Sequence, residues 1–507
     1  MASITLMNSN RMLPVLRSII KPRMSFLLPI LLVGLVSTGS IFAEDLPASA
    51  CQASNSLSVL VNGKNVVAYV PKGAWLWPVP NISVMNIEGN SITPKQIVTP
   101  APRPNEPEGV NSCASNAATG QTICTGNNAN VYVISGTTLK STLRSSGAGM
   151  NMFIEGNCTN CGVTMDPIHN VAVIGLHLGS APMSPGGFQL LDLGSSPKFE
   201  TAFASQATDT DQSGKGQISA GFLFDPIRNL ILSPNEHGNY EIVRLANNDN
   251  KGNGDNDNNG KGDNDNKGNG NDNKGNGDNN KGDNDNKDDG NGINNGGKQP
   301  AFFQKSSFPA FASAGEDCAT GIALASVWGG DPSMVYIADL NRAKTTSAGT
   351  WNAPSQIQTL SESHLSNGAN GIAVAQGTHT GIVTGEFGFD SNGGNITAIL
   401  LPKDKGGDSS PAISDWVTCS IPGGFQTGFD PHTVTAYESP ANGHAMALVA
   451  SWPGDPARRV AVIDLTKMLD DETVPRTKGK GLGHACASPG LLSTAGRDAV
   501  VRFVSVP

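Results

Sequence analysis

The chain has 507 residues, with 60 glycines, 32 prolines and 15% charged residues. That balance suits a turn-rich β-protein and argues against a helical one. A formal net charge of -9, without basic clusters beyond the first residues, argues against nucleic acid as a partner, because phosphate recognition needs concentrated Lys and Arg.

At the N-terminus Arg11, Arg17, Lys21 and Arg23 form a basic leader. An apolar run from Phe26 to Val36 follows, broken only by Pro29 and Gly34, and small residues lead to Ile41-Phe42-Ala43 before Glu44. This order predicts a signal peptide over residues 1–43. The run falls short of the roughly 20 apolar residues of a spanning helix. The expectation is a secreted or periplasmic protein with no membrane span in the mature chain, and an uncleaved N-terminal anchor is the alternative. Cys51 follows Ala48-Ser49-Ala50, but Ala48 stands where a lipid-attachment site carries Leu.

From there a unit returns about every fifty residues: a short apolar strand, a turn, a second apolar strand, then a third ending in Leu or Ile. The first copy holds strands at 58–61, 66–70 and 82–87, and the second at 121–124, 131–134 and from Leu139. Cys113 and Cys124 flank a hairpin in the second copy and are placed to staple it. Eight cysteines in an exported chain favour disulfides. Cys158-Thr-Asn-Cys161 reads as a tight disulfide loop. Gly162 stands where haem attachment wants His, no second pair completes a zinc site, and a strand rather than a helix follows. Cys51, Cys318, Cys419 and Cys486 cannot be paired from sequence.

The third copy contains Asp166-Pro-Ile-His-Asn170 between strands at 163–165 and 171–174, with a third strand at 188–193. The fourth repeats it as Asp225-Pro-Ile-Arg-Asn229, with strands at 222–224, 230–232 and 240–245. Asp accepts hydrogen bonds from the turn backbone and Pro presets φ, which explains the pair structurally. Between these copies, Asp209, Asp211, Ser213 and Gly214 match the first half of a calcium loop, but Ala220 occupies the position of its bidentate carboxylate.

Asn247 to Lys298 is almost wholly Asn, Asp, Gly and Lys, and Ile293 is its one apolar residue. Such a segment cannot bury enough apolar surface to offset its ordering entropy and is expected to be disordered. It reads as a loop insertion between the fourth and fifth copies. Asp255-Asn-Asp257-Asn-Asn259-Gly260 again opens like a calcium loop, with Asn266 where the closing carboxylate belongs. Weak, collective binding of Ca2+ by the tract's acidic residues is the functional alternative to an inert spacer.

The fifth copy is marked by strands at 321–325 and 335–340, and the sixth by 371–375, 381–384 and 396–400. The seventh runs from Phe429 through 445–449 to 460–465. Asp-Leu recurs in phase at 192–193, 339–340 and 464–465. A repeated all-β unit of this length predicts a propeller whose blades bury their faces against neighbours. The fold class expected is a single seven-bladed all-β propeller, with six and eight the adjacent counts. Residues 44–246 supply about four blades and 299–507 about three. The final strand, 499–504, is expected to complete the first blade and close the ring.

Equivalent turns of a propeller share one face, so Asp166, Asp225, Glu386 and Asp430 are candidate ligands for a cation, Ca2+ by their chemistry. Glu236, His237 and His432 are candidate binding residues at the channel mouth. A solvated or hydrogen-bonded turn residue is the plainer reading of each. No Gly-x-Ser-x-Gly elbow or glycine-rich phosphate loop is present.

The blade phase and the terminal strand resemble exported bacterial β-propellers of the NHL, YVTN and lactonase-like repeat class, over roughly residues 55–245 and 300–507. The Trp-Asp signature of WD40 repeats is absent. Some lactonase-like members hold a divalent cation at the channel mouth, but their ligands do not map onto this chain residue by residue. The expected function is non-enzymatic binding of a protein or surface ligand through the loop face. The alternatives are a cation-dependent lactonase- or esterase-like hydrolase, and a structural envelope or matrix protein. Oligomeric state is not readable from the chain.

Overall fold

A computed structural model describes residues 51–52, 57–71, 81–87, 95–101, 103–104, 106, 109–147, 160–177, 186–204, 221–234, 239–245, 301–307, 311–327, 334–340, 358–361, 367–387, 395–401, 417–421, 431–451, 459–469, 486–487, 491–492 and 500–506. Residues 1–43, 209–220 and 247–298, with Cys158, Glu236, His237 and Asp430, lie outside these residues, as do the side chains of Cys161, Glu386 and His432.

Seven sheets, each with a core of antiparallel strands, form the blades of a β-propeller. Blade one is β1 (Ser58–Asn62), β2 (Asn65–Pro71), β3 (Asn81–Asn86) and β4 (Lys95–Val98). Blade two is β5 (Val110–Asn116), β6 (Gln121–Gly126), β7 (Asn130–Ser135) and β8 (Thr138–Arg144). Blade three is β9 (Asn160–Asp166), β10 (Val171–His177) and β11 (Gly186–Asp192), edged by the short β12 (Lys198–Phe199) and β13 (Phe203–Ala204). Blade four is β14 (Leu223–Asp225), β15 (Leu230–Pro234), β16 (Asn239–Arg244) and β17 (Ala301–Ser307). Blade five is β18 (Phe311–Asp317), β19 (Ile322–Val327), β20 (Met334–Asp339) and β21 (Gln358–Ser361).

Blade six is β22 (Asn367–Ala375), β23 (Thr380–Phe387), β24 (Asn395–Leu400) and β25 (Val417–Ile421). Blade seven opens with β26 (Pro431–Glu438), β27 (Ala445–Ser451) and β28 (Arg459–Asp464), which runs into the short helix α1 (Leu465–Leu469). Two short strands, β29 (Cys486–Ala487) and β30 (Leu491–Leu492), then extend the outer edge of blade six, and β31 (Val501–Ser505) completes blade seven. The first strands touch in the order β1, β5, β9, β14, β18, β22, β26 and back to β1. No described helix is long and apolar enough to cross a membrane.

The core lies in the seams between blades rather than within any sheet. In β10, Ala172, Ile174 and Leu176 join Ile123, Val131 and Met165 in the seam of blades two and three. The intervening Val173 faces the other way, with Phe222 and Phe224 of blade four. The two-residue side-chain period sends alternate residues to opposite faces, and both faces are covered. That is why the strand reads as a continuous apolar run. Each fully buried aliphatic side chain contributes about 1.5–3 kcal/mol.

Third strands end in phase for a reason the turns supply. The amides of Leu193, Leu245, Leu340 and Leu401 donate to Asn170 O, Asn229 O, Gly321 O and His379 O at 3.0, 3.0, 2.8 and 2.8 Å. Each acceptor residue has positive φ, between 53° and 75°, where Gly and Asn are tolerated best.

Two expectations are corrected. The strand near the C-terminus does not complete blade one: β31 pairs β28 in register Val460↔Val504, and blade one already has four strands of its own. Its sequence is equally apolar at either destination, so pattern could not choose between them. The Asn/Asp/Gly/Lys tract falls inside blade four, between β16 and β17, rather than between blades. β17 carries that blade's outer edge, pairing Glu241↔Lys305.

Candidate functional site

One end of the ring gathers the turns between first and second strands, and these turns are linked across the seams. Asn116 Nδ2 of blade two donates to Asn170 Oδ1 of blade three at 2.8 Å. Arg228 Nη1 of blade four donates to Cys318 O of blade five at 3.0 Å. Gln376 of blade six donates to Glu316 O of blade five at 2.7 Å and accepts from the Cys318 amide at 2.8 Å. Gly377 N donates to Glu438 Oε1 of blade seven at 2.6 Å.

The Asp-Pro turns carry the hydrogen bonds their sequence implies. Asp166 Oδ1 accepts from the amides of Ile168 and His169, both at 3.0 Å, and its Oδ2 lies 2.7 Å from His169 Nδ1. Asp225 Oδ1 accepts from Ile227 and Arg228 amides at 2.8 and 3.0 Å, while its Oδ2 accepts from Arg228 Nη1 at 3.0 Å. Asp317 repeats the device without a proline: Oδ1 accepts from Ala319 N at 3.1 Å, and Oδ2 lies 2.6 Å from His379 Nδ1 across the seam.

Around Arg228 the charges concentrate. Asp225, Glu316 and Asp317 are fully buried. Arg228 Nη1 also lies 3.4 Å from Glu316 Oε1, but Glu316 Oε2 has no partner among the described residues. Burial pushes the Glu316 carboxyl well up, and the Asp225 charge adds to the effect against the opposing pull of Arg228. The charged form of Glu316 is thus disfavoured on two counts, low-dielectric surroundings and a like charge beside it. Burial also raises the Glu438 carboxyl, against the pull of the Gly377 amide.

A segment from the start of the chain reaches the same place. Cys51 is joined to Cys318 by a disulfide. Gln52 Nε2 donates to Val374 O of blade six at 2.9 Å and more weakly to Ala436 O of blade seven at 3.4 Å. Gln52 O accepts from Thr164 Oγ1 of blade three at 2.9 Å. Two residues thus bind four blades.

Of the sequence-derived cation candidates, Asp166 and Asp225 both stand at these turns, each committed to two amides and a basic side chain. Glu386 lies in β23, and Asp430 immediately precedes β26. Among the described residues, one cluster has metal-ligand spacing: Cys51, Asp225 and Cys318. Its sulfurs are joined to each other, so neither is a thiolate. The hairpin staple is formed as expected, Cys113–Cys124, in directly opposed positions of β5 and β6.

Glu316, Asp317, Arg228, Gln52, Gln376 and Glu438 were not singled out by sequence, although a signal existed. A polar residue followed four positions later by Gly or Asn recurs at Asn116/Gly120, Asp166/Asn170, Asp225/Asn229, Asp317/Gly321 and Ser439/Gly443. Three of those turns carry proline at the next position, at 167, 226 and 440, and two of the three are the Asp-Pro pairs that drew attention.

No family model and no curated protein matches the sequence. Among solved structures the chain is similar to one in a crystal structure of a mitotic checkpoint complex, at 10% identity and a TM-score of 0.45, over 80% of this chain and 86% of that one. It is also similar to a functionally unknown protein from Desulfotomaculum acetoxidans, at 9% identity and a TM-score of 0.39, over 68% and 82% of the two chains.

Proposed function

We propose that this propeller is an exported, non-catalytic binding module that takes a protein or surface ligand through its loop face. The observation that favours this reading over a cation-dependent hydrolase is the commitment of the turn carboxylates. Asp166 and Asp225 spend their oxygens on turn amides, His169 and Arg228. A calcium site needs six to eight oxygen ligands free to converge. With these turn carboxylates committed to the chain itself, the loop surface is left to make contacts, a use to which propellers are often put. Two disulfides among the described residues agree with export into an oxidising compartment.

The first test is thermal unfolding of the mature protein lacking residues 247–298, in calcium and in EDTA. An unchanged midpoint is expected. A large rise in calcium would overturn the reading, because a ligand that binds only the native state stabilises it. The second test places a photo-crosslinker at Ile227, which is 43% exposed on the blade-four turn. Saturable labelling of one partner, competed by unmodified protein, is expected; labelling that no excess of unmodified protein reduces would count against it.

A further inference from the structure

The ring has a weak point between its last and first blades. No strand is shared there: blade one is built from β1 to β4, and blade seven from β26 to β28 with β31. The seam consists of apolar contacts, such as Val59, Val66 and Ala68 with Leu448, Val460 and Val462. Arg502 adds a hydrogen bond to Ile87 O. Other neighbouring blades are joined by the chain that runs from one to the next, whereas blade one and blade seven are built from opposite ends of the chain and neither borrows a strand from the other.

Cys51 and Gln52 precede β1, which begins at Ser58, by a few residues, and both are buried. First strands of propeller blades leave one edge unpaired toward the channel, and buried carbonyls on that edge need donors. Gln52 supplies them to Val374 O and Ala436 O, while its own carbonyl is taken by Thr164. Cys51 is bonded to Cys318, whose amide is held by Gln376 and whose carbonyl is held by Arg228. The receiving positions thus come from blades three, five, six and seven, and Arg228 of blade four holds the Cys318 carbonyl in turn.

We propose that the inner strands form a docking site for the chain's own Cys51–Gln52 segment, and that this segment is a pin that closes the ring in place of a shared strand. Its closure is oxidative. The thiols of Cys51 and Cys318 lose two electrons and two protons to a disulfide-bearing oxidant, which is reduced to its dithiol as the new S–S bond forms. The propeller is then complete only where such an oxidant is present, and a dithiol reductant reverses the step. Cys51 must also be retained in the mature chain, with its sulfur unmodified, so processing occurs upstream of it.

The test is hydrogen exchange on the mature protein, comparing wild type with Cys51→Ser, Gln52→Ala and Cys113→Ser. In Cys51→Ser, amides of β1, β26 and β27 are expected to exchange at least about tenfold faster, with β5 and β6 little changed. Gln52→Ala is expected to loosen the same strands more mildly, and Cys113→Ser to loosen only the blade-two hairpin. Cys51→Ser with wild-type exchange at β1 and β26 would overturn the proposal, as would an effect spread equally over all blades. If Cys51→Ser does not fold, wild-type protein is titrated with a dithiol and its cysteines are mapped by mass. Seam exchange that rises as Cys51 and Cys318 become free supports the pin. Unchanged exchange in protein with both thiols shown to be free rejects it.

Discussion

Arg228 Nη1 lies 3.0 Å from Asp225 Oδ2 in its own turn and also faces Glu316 Oε1 at 3.4 Å across the seam of blades four and five. One guanidinium thus serves two fully buried carboxyls from adjacent blades. Replacing Arg228 by Met keeps the apolar stem and deletes the charge. Breaking a buried ion pair by removing one partner costs about 3–5 kcal/mol. Arg228→Met is expected to lower stability by that order, measured by denaturant unfolding.

The same cluster sets a pH dependence. Glu316 is raised by burial and by Asp225, while an unfolded-chain Glu titrates near about 4.3. Stability from this group is therefore fully present below the unfolded value and is lost as pH rises toward the folded one. Glu316→Gln mimics the protonated carboxyl at every pH. The melting temperature of Glu316→Gln relative to wild type is expected to climb as pH rises from 4 upward. A difference independent of pH would rule out a raised Glu316 carboxyl.

Asn229 combines a left-handed backbone, φ 55°, with a side-chain bond to Leu245 O at 2.9 Å. Asn229→Gly keeps the backbone at ease and loses the amide. Asn229→Ala loses the amide and adds about 1–2 kcal/mol of left-handed strain. Equilibrium unfolding should rank the three with Ala lowest.

Close packing across a seam is testable at Gly315. A Cβ there would meet Ile372 Cγ2 at 2.6 Å, between blades five and six. Gly315→Ala is expected to cost about 1–3 kcal/mol through overpacking. Ile372→Ala in the same chain, which deletes Cγ2, should relieve it, so the double mutant falls short of the sum of the single losses.

Much of the architecture was legible locally. The strands of β10, β15, β19 and β23 are apolar on both faces because both faces are covered, and such runs survive without knowledge of partners. The Asp-Pro turns and the Cys113–Cys124 staple involve residues close in sequence. The inner strands β5 and β18 were missed. Val110-Asn-Ser-Cys-Ala-Ser-Asn116 is mostly polar, since a strand beside the channel carries small hydroxyl and amide groups. Ser58 Oγ to Ser115 Oγ, at 2.5 Å, is one such contact between neighbouring blades.

Repeat length, the phase of Asp-Leu and the alternation of apolar residues were enough to specify blades, because each blade follows from short-range hydrogen bonding and two-sided burial. Tertiary structure alone decided what those blades share. Cys51 meets Cys318 across 267 positions, Arg228 meets Glu316 across 88, and β31 reaches blade seven rather than blade one. Contacts of that range depend on where the ring brings distant segments together, and no local pattern encodes which of several chemically equivalent partners lies opposite.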